Sequence, residues 1–466
     1  MGDPISNSSK LTTSTSNKTN VAINKKAVNN VSNVKKAVLT EKSNNAAGET
    51  EKCLLGVMLF PLMLFGCSSS NNRPKVEQVN IKPVEHQEIG ISQDNIINIL
   101  FDLESEMYGA EDIQKIRDKV APIILMAKEK TKNITDPRDK LKAIYKMLRD
   151  NFMITFANQE NVGFFKKGEN QTFTACLKNN MLDCDTTTFL FLAIAHELKF
   201  PIYAAVAPEH LFMRWDDGKT TFNFDYGEIH PDNFYIDHFK ISKQAIINQV
   251  YLRSLSPEET IGVFNKNLAD AKFDLGDYQS AIYYYEQAFA AFPKDCDAYN
   301  NCGAARMSLG NFQVSIDKRV TEQTLAYYRK AISDYTNAIT LDPGCAASFS
   351  NLGIAKLKAG DPQGALTDCI KAIRLSPENS EVFYNLGIVH NSSGNYREAI
   401  NDYTKAIVYD NNNSRAYNNR GGAKFYLRDY KGAISDWAKT LELDPNRPDV
   451  VRNIQIANNK LSTIKK

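Results

Sequence analysis

Hydrophobic residues change their spacing several times along the chain, and each spacing predicts a different kind of element. Between residues 93 and 153 they recur every three or four positions, which predicts amphipathic helices. Asp136 and the proline after it open the clearest of these helices, because aspartate suits a helix cap and proline suits the first turn. A continuous apolar run after Thr188 predicts a buried helix, with Asp183 and Asp185 as candidate caps.

Candidate β-strands follow, and in the last two of them apolar residues alternate with mostly polar ones. The candidate strands run over residues 202–206, 209–215 and 220–225. Asp217 and Gly218 form a typical hairpin turn, and a turn centred on this pair sets His210 opposite Asp225. A one-residue slip would mix the apolar and the mostly polar face of this hairpin. The apolar face comprises Leu211, Met213, Trp215, Phe222 and Phe224, and the other face comprises His210, Phe212, Arg214, Thr221, Asn223 and Asp225.

From residue 262 onward the pattern repeats with a fixed period. A proline precedes each new helix, with asparagine in its place once, at Pro293, Pro343, Pro377, Asn411 and Pro445. The intervals between these residues are 50, 34, 34 and 34. An alanine lies twelve residues before each of them, and small residues at such positions let paired helices approach closely. The longer interval places an insert at about 311–330, which lengthens a helix or forms a loop in the second repeat.

A 34-residue period of helix–turn–helix units resembles the tetratricopeptide repeat family over residues 262–445. The resemblance implies five repeats in an all-α superhelical solenoid, followed by a polar capping helix over 446–466. The family binds peptides or proteins on its concave face, which implies partner-binding roles for Asn300, Ser350, Tyr384, Asn391, Asn418 and Phe425. These residues include no Lys or Arg cluster, which argues against a clamp for a terminal carboxylate. In the alternative interpretation the array is mainly structural and packs on the preceding domain.

Candidate catalytic chemistry precedes the repeats. Cys184 lies at the start of the predicted buried helix, where the helix N-terminus favours the thiolate and two neighbouring aspartates oppose it. With His210 and Asp225 it forms the set of nucleophile, base and orienting carboxylate that thiol catalysis uses. Asn223, a diagonal neighbour of His210, is the reserve candidate for the orienting role. In the alternative interpretation Cys184 is an inert buried thiol.

These residues resemble the transglutaminase-like branch of the papain-type thiol superfamily over residues 92–250. The resemblance rests on the Leu182-Asp-Cys-Asp-Thr186 segment and on the segments around His210 and Asp225. It implies an α+β domain in which Cys184, His210 and Asp225 form a catalytic triad. Members of the family hydrolyse amides or transfer acyl groups through a thioester, and others have lost activity and only bind. Leu182 stands where the family usually has glycine.

The first fifty residues have a different composition. They contain no aromatic residue, cysteine or histidine, and 29 of them are Ser, Thr, Asn or Lys. Such a segment cannot bury enough apolar surface to offset its ordering entropy. Residues 1–50 are therefore predicted to be a disordered polar extension.

An apolar run of twelve residues, 54–65, follows this extension. It is shorter than the ~20 residues of a membrane-spanning helix but matches the ~7–15 residues of a secretory signal core. Its end, Leu64-Phe65-Gly66-Cys67, resembles the cleavage box of a bacterial lipoprotein and implies that Cys67 carries the lipid. Residues 51–67 are then a lipoprotein signal or membrane anchor and 68–91 a linker, which implies a lipid-anchored protein of the bacterial envelope. If the run is not a signal, the protein is cytoplasmic.

Charge and cysteine usage limit the remaining classes of function. Lys and Arg total 56 and Asp and Glu 54, and a formal net charge of +2 does not favour nucleic-acid binding. The sequence has no Cys-x-x-Cys pair, no His-Glu-x-x-His motif and no glycine-rich phosphate loop, so no metal or cofactor is expected. We therefore expect a thiol acyl-transfer site combined with protein-binding repeats. The alternative is a catalytically inactive repeat scaffold that mediates protein–protein interaction.

Overall fold

The structure is a computed structural model in which residues 96–105, 107–156 and 172–464 are described. The predicted extension (1–50), the signal or anchor (51–67) with Cys67, and the linker (68–91) lie outside the described residues and stay predictions. Within the part of the chain that the structure describes, no helix combines the length and the apolar character needed to cross a membrane.

Among the described residues up to residue 198, five helices and a short pair of strands form the first part of the fold. The helices are α1 (Ile96–Glu104), α2 (Ala110–Thr131), α3 (Pro137–Phe152), α4 (Phe173–Asn179) and α5 (Cys184–Leu198). The strands β1 (Thr155–Phe156) and β2 (Met181–Leu182) pair in parallel. The predicted cap of α3 is confirmed, since Asp136 accepts a hydrogen bond from the N–H of Arg138 at 2.8 Å. Of the two candidate caps of α5, Asp183 accepts from the N–H of Thr186 at 2.9 Å.

A four-stranded antiparallel sheet follows, with its strands in sequence order. The strands are β3 (Ile202–Ala207), β4 (His210–Asp216), β5 (Thr221–Asp225) and β6 (Glu228–His230). Helix α5 packs against β3 and β4. The predicted apolar face of the β4–β5 hairpin is confirmed, because all five of its residues join the main hydrophobic core.

The pairing register of this hairpin differs by two residues from the predicted one. Arg214 pairs with Asn223, so the same register places Asp225 opposite Phe212 rather than opposite His210. The prediction of direct opposition was therefore wrong. A shift of two residues keeps every side chain on its predicted face, so His210 and Asp225 become diagonal neighbours on one face.

The turn between the strands causes the difference in register. The observed turn comprises residues 217–220, and its centre lies between Gly218 and Lys219, one residue later than the predicted centre between Asp217 and Gly218. Asp217 Oδ1 accepts hydrogen bonds from the N–H groups of Lys219 at 2.9 Å and Thr220 at 2.6 Å. These side-chain bonds stabilise the turn at this shifted position, which moves the pairing register by two residues.

Two short helices, α6 (Asp232–Phe239) and α7 (Lys243–Ile247), connect the sheet to an array of helical hairpins. The paired helices are α8 (Pro257–Asp274) and α9 (Tyr278–Ala291), α10 (Cys296–Asp317) and α11 (Glu322–Leu341), α12 (Ala346–Lys358) and α13 (Pro362–Leu375), α14 (Ser380–Ser392) and α15 (Tyr396–Tyr409), and α16 (Ser414–Tyr426) and α17 (Tyr430–Leu443). Helix α18 (Pro448–Ile464) packs on the last pair. Helix α8 begins before residue 262, because Ser256 and Glu259 form a capping box at its start.

The first repeat shares its core with the preceding domain. Phe264 on α8 packs edge-to-face on Phe189 of α5, with ring centroids 5.2 Å apart. The same hydrophobic cluster contains Leu268 of α8 and Tyr285 of α9. The array therefore packs on the first domain, as the structural interpretation of the array expects.

The insert in the second repeat lengthens both of its helices. Helix α10 has 22 residues and α11 has 20, whereas the helices of the last three repeats have 13 or 14. The extension exposes the apolar side chains of Phe312 and Ile316. Of the two predicted forms of the insert, the lengthened helix is the one observed, and it affects both partners of the pair.

Candidate functional site

Cys184 is the first residue of α5 and is half-buried. Its thiol donates a hydrogen bond to Asp185 Oδ1 at 3.3 Å and accepts one from the backbone N–H of Leu211. Burial is the main cause that raises the pKa of this thiol well above its usual value, and the negative charges of Asp185 and Asp183 raise it further. The resting group is therefore a neutral thiol, and a base is needed to form the thiolate.

His210 and Asp225 form a close hydrogen-bonded pair. His210 Nε2 lies 2.6 Å from Asp225 Oδ2, and the two side chains are only 10% and 9% exposed. This bond uses Nε2, so Nδ1 is the ring nitrogen that is left to exchange a proton. The imidazole also stacks among aromatic rings, with the centroid of Phe239 at 5.5 Å and that of Tyr226 at 6.0 Å. These contacts hold the ring in one orientation.

Tyr226 connects the histidine pair to the thiol. Its side chain is hydrogen-bonded to Cys184, and its ring stacks on His210 with an interplanar angle of 18°. Its φ of 47° lies in the left-handed region, which costs a non-glycine residue ~1–3 kcal/mol and is concentrated at functional sites. The residue after His210 and the residue after Asp225 thus both hydrogen-bond to Cys184. These contacts place Cys184 beside the hairpin that carries His210 and Asp225.

Asn223, the reserve candidate, has a different set of partners. Its Oδ1 accepts a hydrogen bond from Arg214 Nη1 at 2.8 Å, and its Nδ2 donates to Asp232 Oδ1 at 2.8 Å. Arg214 also donates to Asp232, at 2.9 Å. This network ties β4 and β5 to the start of α6. Asp225, and not Asn223, is the residue hydrogen-bonded to His210.

Charged residues also meet where the array joins the first domain. Lys266 on α8 lies 2.8 Å from Asp270, and Asp297 on α10 accepts a hydrogen bond from the N–H of Glu209 at 3.1 Å. Burial, followed by the negative charge of Asp295, raises the pKa of Asp297 to about 7. The hydrogen bond between Glu209 and Asp297 holds the turn before His210 against the second repeat. Among residues 96–105, 107–156 and 172–464, no group of three or more His, Cys, Asp or Glu is placed to hold a metal ion.

Three of the six residues predicted to bind a partner are buried inside the array. Ser350, Tyr384 and Asn418 are 2%, 5% and 5% exposed. The cause is close packing between the first helices of successive repeats, where Ser350 Oγ accepts a hydrogen bond from Asn385 Nδ2 at 2.9 Å. These side chains stabilise the stacking of repeats, which periodicity alone does not distinguish from a binding role.

The other three predicted residues are less completely buried. Phe425 packs on Trp437, with ring centroids 5.9 Å apart, and it belongs to the edge of a hydrophobic cluster. Asn300 and Asn391 are partly exposed.

A row of five asparagines, one on the first helix of each repeat, was not predicted from the sequence. This asparagine row comprises Asn267, Asn301, Asn351, Asn385 and Asn419. Their intervals are 34, 50, 34 and 34, the same as those that the repeat period produces. The sequence therefore contained the information needed to find this row, because the asparagines recur with the same period as the prolines and alanines.

Each member of the asparagine row donates a hydrogen bond from Nδ2 to a helix earlier in the chain, which in the last four repeats is the first helix of the preceding repeat. In the last four repeats the acceptors are Asp270 for Asn301 (3.0 Å), Asn300 for Asn351 (3.3 Å), Ser350 for Asn385 (2.9 Å) and Tyr384 for Asn419 (3.3 Å). Asn267 has no preceding repeat and donates to Asp185 Oδ2 at 2.8 Å. The row thus extends from the array to the residue beside Cys184.

A second recurring contact joins the two helices within a repeat. In the last four repeats a basic residue of the first helix pairs with an aspartate of the second: Arg306 with Asp334, Lys356 with Asp368, His390 with Asp402 and Lys424 with Asp436. The four aspartates are 4–7% exposed. The fourth repeat differs from the other three because its basic residue is a histidine.

Two models of the tetratricopeptide repeat family match the chain, over residues 266–318 and 380–413. Both segments lie within the helical hairpins described above. The C-terminal part of the chain is therefore a tetratricopeptide repeat solenoid, as the 34-residue period predicts. The two matches do not reach residues 92–250, where the transglutaminase-like resemblance stays a prediction.

Several solved structures are similar to part of the chain. They include MamA from Desulfovibrio magneticus RS-1, a thermophilic tetratricopeptide repeat protein of Thermus thermophilus, and the first repeat domain of Spaghetti (RPAP3) bound to an HSP90 peptide. In that order the identities are 16%, 17% and 23%, and the TM-scores are 0.31, 0.35 and 0.25. The alignments cover 45%, 42% and 25% of this chain and 99%, 98% and 93% of the others. A comparison with curated proteins finds no match.

Proposed function

We propose that the protein binds a polypeptide on its repeat array and attacks an amide of that polypeptide with Cys184. The observation that supports the catalytic half is the 2.6 Å hydrogen bond between His210 and Asp225, beside a thiol that Leu211 and Tyr226 contact. Nucleophile, base and orienting carboxylate are the groups that thiol catalysis needs. The binding half follows from the array, because tetratricopeptide repeats are stacked units that present an extended concave surface.

In the proposed reaction the imidazole of His210 takes the thiol proton through Nδ1, and the sulfur of Cys184 bonds to the carbonyl carbon of the amide. The resulting tetrahedral species collapses as the C–N bond breaks, and the imidazolium returns its proton to the leaving amine. The acyl group then remains on Cys184 as a thioester. Water or a second amine attacks the thioester, gives its proton to His210 and releases the acyl product with the thiol restored. Asp225 stabilises the imidazolium in both halves of the reaction.

A catalytically inactive scaffold is the second candidate function. Burial and, after it, the two carboxylates next to Cys184 raise the pKa of its thiol, which opposes nucleophilic attack. Leu182 also stands where the resembled family usually has glycine. In this function the array binds its partner, and the first domain supports the array through the core that it shares with the first repeat.

The pH dependence of thiol alkylation distinguishes the two functions. The full chain is treated with iodoacetamide over a range of pH, and the modification of each cysteine is followed by peptide mass spectrometry. If Cys184 is paired with His210, His210→Ala shifts its profile to higher pH and slows its alkylation near neutral pH by ~10-fold, which corresponds to about one pKa unit. Cys176 and Cys369, which are fully buried, report global unfolding. An identical profile in the variant contradicts the catalytic function and leaves the scaffold.

We further propose that Cys67 carries a lipid and anchors the protein in the bacterial envelope. The support is the apolar run 54–65 and the Leu64-Phe65-Gly66-Cys67 box, both of which lie outside the described residues. Bacterial cells that express the wild type or Cys67→Ser are labelled with a lipid precursor. Label on the wild type alone is expected, and an unlabelled wild type contradicts the proposal in favour of the cytoplasmic alternative.

A further inference from the structure

One carboxylate joins the repeat array to the candidate nucleophile. Asp185 Oδ2 accepts a hydrogen bond from Asn267 Nδ2 at 2.8 Å, and Asp185 Oδ1 accepts one from the thiol of Cys184 at 3.3 Å. Asn267 belongs to the first helix of the first repeat and is 8% exposed. Its contact with Asp185 therefore lies within the packed junction of α5 and α8 and is largely shielded from water.

The repeat geometry explains why an asparagine of the array faces α5. In the last four repeats the equivalent asparagines donate to the first helix of the preceding repeat. For Asn267 the place of that preceding helix is taken by α5, which packs on α8 through Phe189 and Phe264. Asp185 lies in the first turn of α5, where the helix N-terminus stabilises a carboxylate. The contact is therefore a consequence of how the array is joined to the thiol domain.

We propose that Asn267 is a positioning residue of the thiol site and that it acts on Cys184 through Asp185. This proposal rests on the proposed function of Cys184 as a nucleophile. The amide N–H of Asn267 stabilises the negative charge of Asp185 and holds one of its oxygens toward α8. The carboxylate is then a weaker acceptor for the thiol proton, which stays available for transfer to His210.

The other ionisable groups around the thiol determine the direction of the effect. On α5 these are the carboxylates of Asp183 and Asp185, and on the hairpin they are the His210–Asp225 pair and Tyr226. On α8 the nearby cation is Lys266, whose closest partner is Asp270. Without the Asn267 N–H, Asp185 keeps the thiol as its remaining hydrogen-bond donor. The carboxylate then holds the thiol proton more strongly.

The experiment measures the pH profile of Cys184 alkylation in the full chain. Asn267→Ala is expected to move the profile up by about half to one pH unit, which slows alkylation near neutral pH by ~3–10-fold. Asn351→Ala is the matched control, because it removes the same contact of the asparagine row far from Asp185 and leaves the profile unchanged. In an Asp185→Asn background the profile moves down, and Asn267→Ala has no further effect, because the coupling passes through the carboxylate.

Two outcomes overturn this proposal. One is an Asn267→Ala profile that coincides with the wild type while only the thermal midpoint falls, because the residue then serves packing alone. The other is an effect of Asn267→Ala that persists in the Asp185→Asn background. His210→Ala tests the proposed function separately. If that variant matches the wild type while Asn267→Ala shifts the profile, the catalytic function fails and the influence of Asn267 on the thiol stands.

Discussion

His390 Nδ1 lies 2.7 Å from Asp402 Oδ2, at a position where the other paired repeats have arginine or lysine. Burial raises the pKa of Asp402 above its usual value, and the hydrogen bond and positive charge of His390 lower it. A buried carboxylate needs a charged partner to offset its lost hydration. Among the basic residue types in these pairs, histidine is the type whose charge is ordinarily lost between pH 5 and 8.

We predict that the free energy of unfolding of the wild type falls with rising pH and that His390→Lys reduces this fall. Because Asp402 has a raised pKa in the folded state, its contribution is largest below its usual pKa and is lost as the pH rises. Lysine at position 390 would carry a positive charge throughout this range and would offset that loss. The expected gain at about pH 8 is ~1–2 kcal/mol, between the values for exposed and buried pairs, measured by urea denaturation.

The reciprocal variant Lys356→His is the control for this prediction. It places a histidine opposite Asp368, in the equivalent pair of the third repeat. We expect it to introduce an additional fall in stability between about pH 5 and 8. Equal pH dependence in the wild type and His390→Lys would show that the pair is not the source.

Much of the fold was predictable because regularly packed elements have periodic patterns of hydrophobic and small residues in their sequence. The 34-residue spacing located the repeats, and the alternation around Met213 and Phe224 assigned the faces of the hairpin. The register was not predictable because it depends on side-chain hydrogen bonds of Asp217, which stabilise a turn centred one residue later than predicted. The core shared by Phe189 and Phe264 was missed because it joins segments that no periodicity relates.

The candidate site was predictable to the extent that its residues lie on patterned elements. Cys184 begins a capped helix, and His210 and Asp225 lie on one face of an alternating hairpin. Tyr226 lies in a turn with a left-handed backbone, and nothing in its sequence context indicates a contact with the thiol. The burial of Ser350 was missed because a helical face shows its spacing but not what covers it.

We predict that Glu104 makes the stability of the first domain depend on pH. Its carboxylate accepts hydrogen bonds from the N–H groups of Phe173 at 2.6 Å and Thr174 at 2.8 Å, at the start of α4. Burial raises its pKa from 4.5 to about 7, and these bonds only partly oppose the shift. A raised pKa means that the contribution of Glu104 is full below about pH 4.5 and is lost as the pH rises to about 7. A shift of this size corresponds to ~3 kcal/mol.

Glu104→Gln tests this prediction. Glutamine retains one acceptor oxygen but replaces the other by a donor, so one N–H of α4 loses its partner and ~1–3 kcal/mol is lost. The deficit relative to the wild type is therefore largest near pH 5 and shrinks toward pH 8. Exchange rates of the α4 amide hydrogens measure it locally, and Glu111→Gln, an exposed carboxylate of α2, is the control. A deficit that is constant with pH contradicts the prediction.

We predict that Tyr226 limits access to the thiol. Its side chain contacts Cys184 and its ring stacks on His210, while 42% of the residue is exposed to solvent. Tyr226→Ala removes this cover and is expected to increase the rate of Cys184 alkylation severalfold. Phe234→Ala is the matched control, since Phe234 is similarly exposed but stacks on His230. A slower rate in Tyr226→Ala would mean that the tyrosine contact activates the thiol instead of covering it.

We predict opposite effects for two adjacent glycines of α16. A Cβ at Gly421 would lie 2.8 Å from Trp437 Nε1, which donates a hydrogen bond to the carbonyl of Asn418, so Gly421→Ala is expected to cost ~1–3 kcal/mol. A Cβ at Gly422 meets nothing within 4 Å, so Gly422→Ala is expected to gain up to ~1 kcal/mol from helix propensity. Trp437 fluorescence during urea denaturation, in a Trp215→Phe background, measures both. Equal stabilisation by the two variants would mean that helix propensity, and not the close approach of α16 and α17, determines the stability of the last repeat.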